Sequence, residues 1–154
     1  MRAAESVRSV GIAAPDYLDT RCLPALIARV GRLAPHARLS IRPLTADMDY
    51  ERLLEEGEVD VVIANWPNAT SYLRLAPPYD DELVMMMRPG HPLAKQAALS
   101  AADYRAAQHI APLKIVKASL DFPPMKFYQL WHERTHDAVA AKWLREQISG
   151  VVKG

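Results

Sequence analysis

The sequence is short of cysteine, of excess charge, of long apolar runs and of clustered glycine, and each shortage excludes something. Cys22 is the sole cysteine, so no intramolecular disulfide is possible, and the pattern suits a reducing cytoplasm. Nineteen basic residues nearly cancel eighteen acidic ones for a net charge of +1. With no basic block, nothing draws this stretch to nucleic acid or anionic lipid. The longest apolar runs, 59–64 and 83–87, are strand-sized and far short of the ~20 residues of a membrane span. Neither a transmembrane helix nor a signal peptide is visible, so secretion gains no support. Gly11, Gly31 and Gly57 stand isolated, which leaves no phosphate-cradling loop. Serine, histidine and aspartate are present without a nucleophile elbow, so catalytic chemistry is not expected.

What is there suits a folded domain: 154 residues, half of them hydrophobic and about a quarter charged, are enough for a real core. The chain reads as repeated strand–helix units. Residues 7–14 suit a mostly buried strand, and Pro15-Asp16 follows where a helix could begin. Leu18, Cys22, Leu23, Leu26, Ile27, Val30 and Leu33 recur at three- and four-residue spacings, predicting a helix from near Arg21 with one apolar face. Pro24 is tolerated early in such a helix. Residues 38–42 alternate as a strand. Leu44-Thr45-Ala46-Asp47 then leads to a short helix carrying Tyr50, Leu53 and Leu54, stopped by Gly57. Apart from Asp60, residues 59–64 are continuously apolar, as strands of a parallel sheet read when helices cover both faces.

After residue 65 the rhythm changes to extended segments at 71–76 and 82–88, closed by a turn at Pro89-Gly90-His91-Pro92. A short helix capped by Ser100 and a strand at 109–113 follow. No periodicity is evident between Lys114 and Pro124. Residues 125–132 alternate as a strand, and 138–152 form a helix whose apolar face is Ala141, Leu144 and Ile148, flanked by Trp143 and Val151. The fold class is therefore α/β, with an open, mostly parallel, doubly wound sheet.

The succession Val10-Gly11-Ile12-Ala13, Leu23-Pro24, Ala34-Pro35, Glu56-Gly57-Glu58-Val59-Asp60, Asp81-Glu82-Leu83-Val84 and Arg88-Pro89-Gly90-His91-Pro92-Leu93-Ala94 resembles the effector-binding domain of LysR-type transcriptional regulators. The tail, Leu120-Asp121-Phe122-Pro123-Pro124 with Tyr128-Gln129-Leu130-Trp131-His132-Glu133 and Lys142-Trp143-Leu144-Arg145, is similar to the branch that senses aromatic acids, nitroaromatics and nodulation flavonoids. The resemblance implies a periplasmic-binding-protein-like lobe I to which a C-terminal strand and helix return. On this reading residues 1–113 are lobe I, 114–124 a junction replacing most of lobe II, and 125–154 the returning strand and helix. The family's winged helix-turn-helix lies outside the pattern, so DNA contact is expected only through that segment of a full-length protein.

The resemblance also implies an inducer between the lobes, touched by Pro15, Asp16 and Tyr17, by Thr45, Ala46 and Asp47, by Asn65 and Trp66, by His109, and by Leu130 and Trp131. Loops at strand carboxyl ends can offer helix amides to an anion, at roughly 0.3–1 kcal/mol, and Tyr17, Trp66 and Trp131 can stack on a ring. Plain alternatives stand beside these roles. Asp16, Thr45 and Asp47 can be helix caps, Trp131 and Trp143 core residues, and His109 a strand residue. His132-x-x-x-His136 with Asp137 has metal-like spacing, but it straddles a strand end without a third ligand, so no metal is expected. Cys22 falls on the apolar helix face, as an inert core thiol does.

The expected function is ligand sensing in the cytoplasm, without cofactor, membrane or catalytic residue. Its partners are a small aromatic acid-like inducer and, in the full-length protein, further copies of itself. A stand-alone periplasmic-type binding protein is the alternative, and a small α/β hydrolase or transferase fragment a third reading.

Overall fold

The computed structural model describes residues 9–65, 67, 70–76, 79–81, 84–87, 90, 92, 114–117 and 125–152. The chain divides into two compact units, residues 1–79 with 126–154, and residues 80–125.

In the first unit, β1 (Ser9–Ala14), β2 (Arg38–Pro43) and β3 (Val61–Asn65) are parallel, with β1 in the middle. Their connections are helices, α1 (Cys22–Leu33) and α2 (Tyr50–Glu56), as parallel crossovers require. The sheet continues through β8 (Met125–His132) and β4 (Leu73–Leu75) along the path β2-β1-β3-β8-β4. Strand β8 runs antiparallel to β3 and to β4. The result is the expected open α/β sheet, with the returning strand in opposite sense. A three-residue 3₁₀ turn, Glu133–Thr135, leads to α3 (Val139–Val152).

Burial follows from strand alternation. Val61 to Ala64 are all buried, because helices cover both faces of β3. On one face Ala13, Val62, Ala64, Leu73 and Leu130 pack with Leu53 and Leu54 of α2 and with Val59. On the other, α3 lies against β1 and β3 and beside α1, burying Ala141, Leu144 and Ile148 as the spacing predicts, with Trp143. Each large aliphatic side chain withdrawn from water in this way contributes about 1.5–3 kcal/mol. Leu18 ahead of α1 and Cys22, Leu26 and Val30 along it are buried, whereas Ile27 and Leu33 stay 52% and 42% exposed, so the apolar stripe is wider than the face that packs.

Two backbone features fix the connections. Gly57 ends α2 at φ 75°, the left-handed cap conformation that glycine adopts without a Cβ penalty, and Glu58 N–H reaches back to the Leu53 carbonyl. The cap at the start of α2 is Asp49, which accepts from Arg52 N–H at 3.0 Å.

In the second unit, β6 (Val84–Met87) pairs antiparallel with β7 (Lys114–Lys117). Strand β5 (Tyr79–Asp81) spans the residues where one unit gives way to the other. The β7 segment falls where no periodicity was evident, since four residues around Ile115-Val116 are too few to display one. Gly90, at φ 82°, lies in the expected turn. The helix expected after Ser100 and the strand at 109–113 lie outside the described residues. Among the described residues no helix is long and apolar enough to cross a membrane.

Candidate functional site

Three parallel strands finishing at one edge bring three loops together, and in open α/β sheets ligands sit at that carboxyl edge. The β1 loop begins at buried Pro15, turns through a Leu18 N–H to Pro15 carbonyl bond, and leaves Asp16 and Tyr17 exposed. The Tyr17 hydroxyl donates to Asn65 Oδ1 at 2.7 Å, joining the β1 loop to the end of β3. The Tyr17 ring, 54% exposed, is 6.0 Å from that of buried Phe127. On the β2 side, Leu44 N–H donates to the Ala14 carbonyl at 2.8 Å, which places Thr45, Ala46 and Asp47 next to the β1 loop, all three exposed. The Thr45 hydroxyl bonds the Asp47 carboxyl and holds it below the usual carboxylate range.

The capping alternative for Asp16, Thr45 and Asp47 fails against the geometry. Asp49 caps α2, and the capping position of α1 is Arg21, which makes no side-chain cap bond. Asp19 instead accepts from Arg21 N–H and pairs with its guanidinium at 2.8 Å. Those contacts, the side-chain bond first, lower the Asp19 carboxyl to about 2. The three expected edge residues are thus not committed to helix ends.

Leu130 and Trp131 lie elsewhere. Because β8 is antiparallel, Asn65 is opposite Phe127 and Val62 is opposite Leu130. The amino end of β8, not its carboxyl end, meets the shared edge. Leu130 is fully buried in the α2-side core. Trp131 is 7% exposed and turned to the α3 side, where its Nε1–H donates to His136 Nδ1 at 3.1 Å and the Arg145 guanidinium lies 4.4 Å from its ring. Phe127, beneath Tyr17, is the edge residue that sequence reasoning missed. The direction of β8 was the missing signal. Trp66 and His109 lie outside the described residues.

The two spaced histidines are occupied. His132 Nδ1 accepts from Arg134 N–H and His136 Nδ1 from Trp131. Among the described residues no group of three or more His, Cys, Asp or Glu is placed to hold a metal ion. Cys22 is buried, and that burial, followed by the charge of Asp19, pushes its thiol up, away from a reactive thiolate.

The LysR substrate binding domain family matches residues 3–114 of this chain. The chain belongs to that family. The HTH-type transcriptional regulator SyrM of Rhizobium meliloti (strain 1021) is 35% identical to this LysR-family chain over 104 residues, 66% of the chain. That stretch spans 30% of SyrM. The reduced form of the OxyR regulatory domain from Pseudomonas aeruginosa matches at TM-score 0.72 with 16% identity, covering 94% of this chain and 98% of that one. The regulatory domain of MetR, a LysR family regulator from N. meningitidis, matches at TM-score 0.72 with 13% identity, covering 93% of each. At these identities the structural likeness is one of fold, and that fold is the periplasmic-binding-protein-like α/β sheet expected from the sequence. The family is one of transcriptional regulators rather than enzymes.

Proposed function

We propose that this LysR-family domain binds a small aromatic or carboxylate inducer at the carboxyl edge of β1, β2 and β3, and that binding alters the conformation of a DNA-bound oligomer of the full-length regulator. The observation that carries the reading is the Tyr17–Asn65 hydrogen bond, which holds an exposed aromatic ring over the meeting point of two strand ends. A ligand ring can lie on Tyr17, while Asp16, Asp47 and the Asn65 amide supply polar contacts. Trp66 and His109 complete the proposed contact set from outside the described residues. Leu130 and Trp131, buried further along β8, belong to the strand that carries Phe127 to the edge.

On this reading residues 114–124 stand in place of most of a second lobe. A ligand held mainly from one side loses part of its burial, so affinity for the isolated chain is weak. The exposed Ile27 and Leu33 of α1 are assigned to self-association in the full-length regulator. The inducer class follows the aromatic-acid, nitroaromatic and flavonoid branch that the tail resembles.

A thermal-shift series with benzoates, salicylates and nitroaromatics tests the site. The expected result is a concentration-dependent rise in Tm for at least one of these classes, lost in Tyr17→Ala and in Asn65→Ala. A rise that both variants retain in full rules out the edge as the binding place.

A further inference from the structure

His132 and His136, spaced like metal ligands, share a different chemical role. Each accepts at Nδ1 from a group that can only donate: His132 takes the Arg134 backbone N–H at 3.1 Å, and His136 takes the Trp131 indole Nε1–H at 3.1 Å. Neither an amide nor an indole N–H has a lone pair to offer in return. Both bonds therefore exist only while the rings are neutral and carry their proton on Nε2.

The two rings bracket the turn at Glu133–Thr135, where several elements are tied together. Arg145 of α3 donates to the carbonyls of Thr135 and His136, the Arg134 guanidinium donates to the Glu55 carbonyl of α2, and Glu133 N–H donates to the Tyr72 carbonyl ahead of β4. Helices from both faces of the sheet thus meet at one short segment. The groups facing the rings carry both signs of charge. Lys142, Arg145 and Glu146 of α3 line the same hollow as His136, and Asp137 and Asp60 also act on Arg145. On the other side the Tyr72 ring lies 5.7 Å from His132 with its hydroxyl bonded to Glu51 of α2, and Arg74 pairs with Glu133 at 2.9 Å. These carboxylates leave a protonated imidazole attainable, and the two donors make it incompatible with the closed turn.

We propose that this turn is a proton-operated latch. With both imidazoles neutral it fastens α2 and α3 to the end of β8. A proton on Nδ1 of His136 sets N–H against N–H, leaves the indole donor of the buried Trp131 without its partner and frees the ring; a proton on Nδ1 of His132 does the same to the first bond of the turn. His136 is exposed, so solvent protons reach it directly. Because histidine is the side chain that changes charge between about pH 5 and 8, the latch opens on mild acidification. The closed turn binds fewer protons than the open one, so its stability falls as pH falls. The latch is independent of the edge formed by Tyr17 and Asn65, and stands whether or not that edge binds an inducer.

The test follows the 15N-labelled full chain by NMR from about pH 8 to about pH 5.5. At the upper limit, long-range imidazole spectra should show both rings as the Nε2–H tautomer, a reading that needs no variant. On acidification the Trp131 indole N–H should shift in step with the His136 ring nitrogens and the Arg134 amide with those of His132. Amide protection at residues 133–138 should fall roughly tenfold, the equivalent of about 1.4 kcal/mol, while Val62 and Leu130 in the sheet stay protected. His136→Gln and His132→Asn each keep an acceptor oxygen without the titration, so in the double variant the indole signal, the Arg134 amide and the protection of the turn should hold constant with pH. Asp60 titrates in both chains and cancels in the comparison. An Nδ1–H tautomer for either ring, the same pH response in the double variant as in wild type, or unchanged protection of the turn on acidification would each overturn the proposal.

Discussion

Gly11 and Asp60 hold each other twice: Gly11 N–H donates to the Asp60 carboxylate at 2.7 Å, and Asp60 N–H donates to the Gly11 carbonyl at 2.9 Å. The pair joins the start of β3 to the middle of β1, where the backbones approach so closely that a side chain would force them apart by a few tenths of an ångström. A Cβ on Gly11 would lie 3.2 Å from the Glu58 carbonyl oxygen and from Val59 Cα. Both are backbone atoms, which give less readily than the end of a flexible side chain. Gly11→Ala is expected to lose about 1–3 kcal/mol, as overpacking does, read from urea unfolding; an unchanged midpoint would contradict the close approach.

Asp60 gives this contact a pH dependence. Burial pushes its carboxyl above the ordinary aspartate value of 3.8, while the Gly11 N–H and the charge of Arg145 oppose the rise. A folded-state value above the unfolded one means that the native chain holds the proton more tightly. The contribution is therefore fully present below 3.8 and declines as pH rises through the raised value. Asp60→Asn keeps an oxygen for Gly11 and removes the ionisation, so the difference in unfolding free energy between mutant and wild type should move in the mutant's favour across that window. A difference that is flat with pH would contradict the assignment.

The parallel half of the sheet was legible because its signals are redundant. The continuous apolar run ending at Ala64, the α1 spacing from Cys22 to Val30 and the stop at Gly57 each specify one local structure. Direction was not legible, since a period of two marks residues 125–132 as a strand without saying which end meets the edge. The family resemblance points to Leu130 and Trp131, and the antiparallel sense of β8 brings Phe127 to that edge instead. Asp47 and Asp49 are equally good caps by composition, and only the backbone path selects Asp49. Gln129 and Arg145 read as surface residues by type, yet β8 and α3 bury both.

Leu130 and Tyr17 should separate core from edge. Leu130 is fully buried, so Leu130→Ala is expected to cost about 2–5 kcal/mol. Tyr17→Phe keeps the ring near Phe127 and removes an exposed hydrogen bond, so its cost should stay below about 1 kcal/mol. Urea unfolding of both variants checks the contrast, and a reversed order would place the edge within the core.

Gln129→Leu should not destabilise the chain despite its burial. The substitution removes one amide bond to Ser149, whose half-buried hydroxyl can turn to water, and it also removes the unpartnered Oε1. A buried polar atom left unpaired costs about 1–3 kcal/mol, whereas one neutral hydrogen bond contributes about 0.5–1.5 kcal/mol. The balance favours leucine, so Tm should hold or rise. A clear loss in the ligand-free chain would mean that the oxygen is already satisfied.

Arg145 ties the turn after β8 to α3. Its guanidinium bonds the carbonyl of His136 at 2.5 Å and that of Thr135 at 3.4 Å, while lying 4.4 Å from the Trp131 ring. Burial lowers its pKa, with the charges of Glu146, Asp137 and Asp60 opposing that shift, but a guanidinium stays protonated throughout the physiological range. A planar fork can reach two adjacent carbonyls and stack on an indole at once; a lysine ammonium cannot do both from one rotamer. Arg145→Lys should therefore behave like Arg145→Met rather than like wild type. The hydrogen bonds to a charged group contribute about 1.5–3 kcal/mol and the ring contact about 0.5–2 kcal/mol, so each variant should lose on the order of 2 kcal/mol, with faster amide exchange concentrated at residues 133–138. Full rescue by lysine would show that charge alone, without the fork, holds this turn in place.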